Sequence, residues 1–320
     1  MSLRDWLRFL GLRLLGTLIV LIVLSIGIFT LVYVSPGSIE RTLLGTKPVN
    51  PESIAAIRAQ YYLDDSFLSQ YLTWLRGVLS GDLGVSIRTG SPVGEMIGDR
   101  LPRTAALVLL SAVLAVLVGV PLGILAARRR GGALDHTVVA ASVAGMSAPP
   151  FALGLVVMLV LSVQLGWFPS YGTGEGLLDG LRHLALPALT LAIGGAGLIV
   201  RFTRVALVQQ LDRDYITFAR GRGLSERVVL GYALRNSMVP MLTALGLVVT
   251  STLAGTVLVE VVFAVPGLGG LLIDSVTFKD VPVVQALALL LAILIALVNL
   301  LVDVAYVLVD PRLRTTGRTA

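Results

Sequence analysis

The densest run of chemically capable side chains is Asp212-Arg213-Asp214-Tyr215-Ile216-Thr217-Phe218-Ala219-Arg220-Gly221-Arg222-Gly223-Leu224-Ser225-Glu226-Arg227. Tyr215, Phe218, Ala219 and Arg222 recur at i, i+3, i+4 and i+7, which puts them on one face of a short helix. Gly223 ends that helix, and Ser225 can cap a second one that runs through Val228, Tyr232 and Leu234 toward Pro240. A helix, a glycine turn and a second helix, all rimmed with arginine, fit a groove on a soluble partner. An anionic lipid surface is the competing use of such a rim. Alternating Asp and Arg make a pure lipid patch less attractive.

Catalytic chemistry finds little support elsewhere. The sequence has no Walker A run, no HExxH, no GxSxG and no paired acids inside its apolar runs. Cysteine is absent, which excludes disulfides, thiolate metal sites and a cysteine nucleophile. Two histidines, His136 and His183, are too few for a histidine-rich metal site. No catalytic residue, metal site or cofactor is therefore expected in this chain, and uphill work would need a partner or an ion gradient. Ionisable residues beside apolar runs are functional candidates. Glu260 lies at the external end of its run, Arg201 and Asp303 at the internal ends of theirs, so none sits where a mid-membrane proton relay would need it. Gly194-Gly195-Ala196-Gly197, Gly119 and Gly123 lie within apolar runs, where close helix packing is their expected role.

The elements that must position these residues are membrane helices. Of 320 residues, 56% are hydrophobic and only 14% charged, with a mean hydropathy of +0.89. A soluble domain carries about 25% charged residues, and a hydrocarbon core ~30 Å thick needs ~20 apolar helical residues. Six runs meet that length: roughly Leu14–Val34, Thr104–Ala127, Thr137–Leu165, Leu184–Leu207, Pro240–Val262 and Val283–Val309. The first follows Arg4, Arg8 and Arg13 but is too long for a signal peptide and lacks an A-x-A site, so it reads as a retained anchor. Ala148-Pro149-Pro150-Phe151 interrupts the third run and Pro187 lies early in the fourth; proline kinks there would open space between helices. The candidate path residues are Ser147, Pro149, Pro150, Phe151, Glu260, Pro266 and Gly267.

Charge sets the expected orientation. With the N-terminus inside, the internal side carries 16 Lys/Arg against seven Asp/Glu, and the external side nine against 12. Both termini are then cytoplasmic. The excess of six basic residues calls for no nucleic-acid partner, because its location across the membrane accounts for it. Residues 35–103 form a long external stretch whose amphipathic pieces Pro51–Tyr61 and Phe67–Leu79, with Tyr61, Tyr62, Phe67, Tyr71, Trp74 and Leu75, predict a small helical subdomain. Phe263–Asp280 is too apolar for an ordinary loop and reads as a helix dipping back toward a pore, which requires protein or water around its backbone.

The segment "DYITFARGRGLSERVVLGYALRNSMVPMLT" resembles the EAA-type coupling loop of ABC importer permeases, in the form found in dipeptide and oligopeptide systems. The stretches "LRDWLRFLGLRLLGTLIVLIVLSIGIFTLVYVSPG", "YLTWLRGVLSGDLGVSIRTGSPV", "LGVPLGILAARRRGGALDH", "GLRHLALPALTLA", "VEVVFAVPGLGGLL" and "NLLVDVAYVLVDPRLR" resemble other parts of the B-type permease subunit. Two features depart from the general pattern: Thr217-Phe218-Ala219 stands for the glutamate-alanine-alanine triplet, and the interval from Gly223 to Pro240 is longer than in sugar importers. Both resemble the peptide subclass.

The resemblance implies an all-α integral membrane protein of about six transmembrane helices with the type I importer permease fold. It implies residues 1–34 as cytoplasmic tip and first helix, 35–103 as an extracytoplasmic insertion, 104–309 as the permease core and 310–320 as a cytoplasmic tail. The loop at about 208–237 would couple to the ATPases through Asp214, Tyr215, Thr217, Phe218, Ala219, Arg220, Arg222, Gly223, Leu224 and Ser225. The implied partners are a paralogous second permease, two cytoplasmic ATPase subunits or domains that bind ATP and Mg, an extracytoplasmic substrate-binding protein, and the lipid of a bacterial cytoplasmic membrane. Peptides are the implied cargo, with nickel chelates, glutathione or haem as related alternatives. An ion-coupled secondary transporter would instead need a mid-membrane ion site and often internal repeats, and neither stands out.

Overall fold

The computed structural model describes residues 3–34, 44, 50–60 and 63–309. Tyr61, Tyr62 and the tail 310–320, which figure in the expectations above, lie outside these. Among the described residues the chain is helical, with one isolated bridge between Val85 and Pro92 and no other β pairing. The helices are α1 (Leu3–Val34), α2 (Pro51–Gln60), α3 (Phe67–Leu79), α4 (Val93–Arg128), α5 (Ala133–Ser147) and α6 (Pro150–Val157), which continues as a π-helix over Met158–Gln164. They are followed by α7 (Gly176–Leu211), α8 (Asp214–Gly221), α9 (Glu226–Asn236), α10 (Met238–Val262), α11 (Leu268–Thr277) and α12 (Val281–Val309). Five described helices are long and apolar enough to cross a membrane, and a sixth span results if the bent pair α5–α6 counts as one.

The chain divides into two compact units. The first contains Ala105–Val265 together with the helix from Leu297, and the second contains Phe9–Thr104 and Pro266–Ala296.

In the first unit α7 is the central element, and small residues let its neighbours approach. A Cβ placed on Gly119 of α4 would lie 2.8 Å from the Ile199 Cβ, and one on Gly123 would lie 2.7 Å from the Thr203 Cβ. On another side of α7, a Cβ on Gly197 would meet the Ser142 carbonyl of α5 at 2.6 Å. These glycines thus allow backbone contact between helices. The packing around them is apolar: Ala115, Ala192, Ile199, Ala244 and Val248 are buried in one cluster. Leu107, Leu186, Leu191, Val259 and Phe263 are buried in another.

The third apolar run departs from the kinked helix that its sequence predicts. Ala148 adopts an extended conformation (ψ 132°), as a residue before proline prefers, and α5 and α6 diverge by 108°. Two consecutive prolines remove two backbone donors and fix two φ angles, so the chain breaks here. Pro187, by contrast, is carried inside α7 without interrupting it.

In the second unit the amphipathic α3 covers part of α1. Phe29 meets the rings of Phe67, Tyr71 and Trp74 at centroid distances of 5.4, 5.7 and 5.5 Å, and Ser25 Oγ lies 2.8 Å from the Tyr71 hydroxyl. The segment Phe263–Asp280 contains α11, whose Leu268 and Leu271 pack with Val93, Ile97, Val283 and Leu287. The buried Asp280 carboxylate accepts hydrogen bonds from Ser86 Oγ (2.5 Å) and the Ile87 N–H (3.1 Å), which pins the preceding loop to the α11–α12 turn.

Candidate functional site: the α8–α9 hairpin and the α5–α6 break

The hairpin is built on a helix stop of well-defined geometry. α8 ends at Gly221 with Arg222 as its C-cap, and Gly223 follows with φ +76°. The Gly223 N–H donates to the Arg220 carbonyl (2.9 Å) and the Leu224 N–H to the Ala219 carbonyl (3.2 Å). This pair of bonds is the Schellman pattern, and it needs a residue comfortable in the left-handed region, which glycine supplies. α9 then starts after Ser225, whose backbone is extended. The expected side-chain cap does not form: Ser225 serves through its carbonyl, which accepts from the Val228 and Val229 N–H groups at 2.9 and 3.1 Å. Asp214 stands in the first turn of α8, where its charge suits the helix dipole.

One side of the hairpin is fastened to its own chain. Ile216, Ala219, Val229 and Ala233 are buried against Leu207 of α7 and Ala127 of α4. Ala219 was expected on the docking face, but its methyl points into this cluster, so its smallness serves intramolecular packing. The other side is open. Tyr215, Phe218, Ala219, Arg222, Leu224 and Tyr232 border a cavity of about 540 Å³, and Phe218 is 72% exposed. The face read from the i, i+3, i+4, i+7 spacing is therefore a real lining, with Ala219 at its base. The Tyr215 hydroxyl donates to Gln210 Oε1 (3.0 Å) and accepts from Asn236 Nδ2 (3.1 Å), tying the hairpin to the end of α7.

Arg220 lies at the surface and makes an ion pair within its own chain. It holds Glu226 through two contacts, Nε–Oε1 at 2.9 Å and Nη2–Oε2 at 3.3 Å. This hydrogen-bonded pairing keeps the Glu226 carboxyl below its ordinary value and the Arg220 guanidinium above its own. The pair spans the turn at a spacing of six, which no helical i, i+4 rule reveals. Arg222 forms no ion pair among the described residues and borders the open cavity. Thr217 lies on the exposed side of α8.

A buried ion pair behind the hairpin had no signal in the sequence. Asp135, at the start of α5, is 1% exposed and receives Arg204 Nε and Nη2 at 2.5 and 2.7 Å, plus the Gly131 N–H at 2.9 Å. A second, exposed bridge joins Arg130 to Asp212, the C-cap of α7, at 2.7 Å. Both pairs cross about 70–80 residues of chain, so only the packed helices bring them together.

The path candidates divide. Ser147, Pro149, Pro150 and Phe151 are exposed at the α5–α6 break. Ala148 and Pro150 border a groove of about 280 Å³ shared with Gly145, Thr190, Gly194 and Ser251. Glu260 does not belong with them: its side chain is fully buried within this chain. Pro266 and Gly267 lie in the second unit, where Gly267 caps α11 and the following Leu268 N–H donates to Thr104 Oγ1 (2.8 Å).

Residues 119–315 match the family model of the binding-protein-dependent transport system inner membrane component, and residues 6–108 match the N-terminal model of the same systems. The chain is 37% identical over 308 residues to the oligopeptide transport system permease protein AppB of Bacillus subtilis (strain 168), covering 94% of this chain and 97% of that one. It is 39% identical over 303 residues to the glutathione transport system permease protein GsiC of Escherichia coli (strain K12), with the same coverage. A solved structure of the MetNI methionine ABC transporter in an inward-facing conformation superposes with a TM-score of 0.56. It covers 67% of this chain and 96% of the other at 20% identity, and so speaks to the fold alone. Apolar helices of spanning length, an importer-permease fold and full-length relatives agree: this chain belongs to the binding-protein-dependent transport system inner membrane component family.

Proposed function

We propose that this permease imports peptides together with a paralogous second permease, two cytoplasmic ATPases that bind ATP and Mg, and an extracytoplasmic binding protein. The single observation that carries the coupling role is the α8–α9 hairpin. One side is welded into the chain's own core through Ile216 and Ala219, while Phe218, Arg222 and Tyr232 face an open cavity. A push on such an element reaches α7 and α4 directly, because Leu207 and Ala127 are its packing partners. The family membership and the AppB and GsiC relatives support a peptide or peptide-like cargo. Of the alternatives, glutathione is itself a peptide, whereas nickel chelates and haem have no supporting observation.

In this reading the hairpin and both termini are cytoplasmic, residues 35–103 are extracytoplasmic, and cargo passes the α5–α6 break between the two permeases. The test is transport by the reconstituted complex with hydrolysis-dead ATPases. Peptide uptake should stop while a proton gradient is maintained. Uptake that persists with dead ATPases and collapses with the gradient would replace this reading by an ion-coupled transporter.

A further inference from the structure

Two arginines lie one turn apart on α7 in opposite circumstances. Arg204 gives its fork to the buried Asp135. Arg201 is exposed, has no ion-pair partner among the described residues, and borders a cavity of about 440 Å³ with Leu198, Phe202, Val205, Gln209 and Pro240. Leu198 also borders the groove at the α5–α6 break. The two spaces share Leu198, and their linings follow one face of α7 through Leu191, Gly194, Gly195, Leu198, Arg201 and Val205. At 1.5 Å per residue that face runs about 21 Å.

The chemistry along it is uneven. Around the break the lining is apolar or glycine, with Thr190, Ser251 and Thr252 as its hydroxyls. Thr190 donates to the Leu186 carbonyl (2.8 Å) and Ser251 to the Val248 carbonyl (3.0 Å), so both donors are satisfied within their own helices. Among the described residues, Arg201 is the only ionisable one in either lining. An unneutralised guanidinium on a spanning helix is costly in lipid and is expected to face a wet cavity or a ligand. Its planar fork matches a carboxylate in two parallel hydrogen bonds.

We propose that Arg201 is a transient subsite for the carboxylate of the cargo. A peptide slides past a neutral wall that ignores its side chains and is then held by the C-terminal carboxylate, the anionic group that every unmodified peptide carries. This rests on the peptide-import reading above. A lipid phosphate or an acidic residue of the second permease could also meet a guanidinium, and the experiment separates both from cargo.

The complete transporter is reconstituted in liposomes with wild-type chain, Arg201→Gln or Arg201→Lys. It is supplied with one peptide as its free acid and as its C-terminal amide, each at a concentration that saturates the binding protein. Wild type should import the acid about tenfold faster than the amide, the scale of one lost charge-assisted bond. Arg201→Gln should import both equally, and Arg201→Lys should keep part of the preference. An equal acid preference in wild type and Arg201→Gln overturns the proposal, as does a wild type that does not distinguish acid from amide. Failure of Arg201→Gln to co-purify with the second permease overturns it in favour of a subunit contact. A preference that follows anionic lipid content rather than the cargo carboxylate assigns Arg201 to lipid and also overturns it. A wild type that imports no peptide at all refutes the peptide reading itself and this inference with it.

Discussion

Replacing Gly223 by aspartate separates the fold of the hairpin from its docking. The position has φ +76°, where an L-residue loses about 1–2 kcal/mol, with Asp and Asn at the low end because they visit this region more readily. No heavy atom lies within 4 Å of a Cβ built there, so the side chain meets no steric obstacle in this chain. The buried cluster of Ile216, Ala219, Val229 and Ala233 is untouched. A penalty of about 1 kcal/mol is small beside the ~5–15 kcal/mol that holds a typical domain. Gly223→Asp should therefore insert and melt close to wild type, whereas a new carboxylate at the tip of the hairpin obstructs the ATPase. The expected result is loss of ATPase co-purification and of substrate-stimulated ATP hydrolysis in liposomes. Gly223→Asn, equally tolerant of the backbone but uncharged, should retain more of both. Normal assembly and normal stimulated turnover in Gly223→Asp would refute the docking assignment. A large drop in melting temperature would refute the claim that the turn has room.

Three further outcomes follow from the packing. Arg204→Leu strands the buried Asp135 carboxylate and should cost about 3–5 kcal/mol of stability, with Asp135→Leu in the same chain recovering much of it; equal melting of wild type and Arg204→Leu would show that the pair is not formed. Gly123→Ala puts a methyl 2.7 Å from the Thr203 Cβ and should cost about 1–3 kcal/mol, while Gly98→Ala on the same helix, with nothing within 4 Å, should be neutral or mildly stabilising in the same thermal assay. Phe218→Ala should leave melting unchanged and weaken ATPase binding, whereas Ala219→Glu should destabilise the chain itself because Ala219 is buried; the reverse pattern in melting and co-purification would invert the two faces of α8.

The sequence alone determined the features that local chemistry controls. Apolar runs long enough for the hydrocarbon core predicted helices where α1, α4, α7, α10 and α12 stand, because a backbone in lipid must satisfy its own hydrogen bonds. The spacing of Tyr215, Phe218 and Arg222 and the stop at Gly223 were legible because both are set within two helical turns. Tertiary structure decided the rest. Whether Ala219 faced a partner or its own core depended on Leu207 and Ala127, which lie 12 or more residues away in sequence. The severity of the break at Pro149-Pro150 depended on what α5 and α6 pack against, since two prolines permit a kink or a sharp reversal alike. The burial of Glu260 and the different fates of Arg201 and Arg204 had no local signal. On one helix, a single turn separates an arginine neutralised by Asp135 from one that faces open space. Only the arrangement of neighbouring helices decides which charge finds a partner, because partners 69 residues apart meet through packing rather than through spacing.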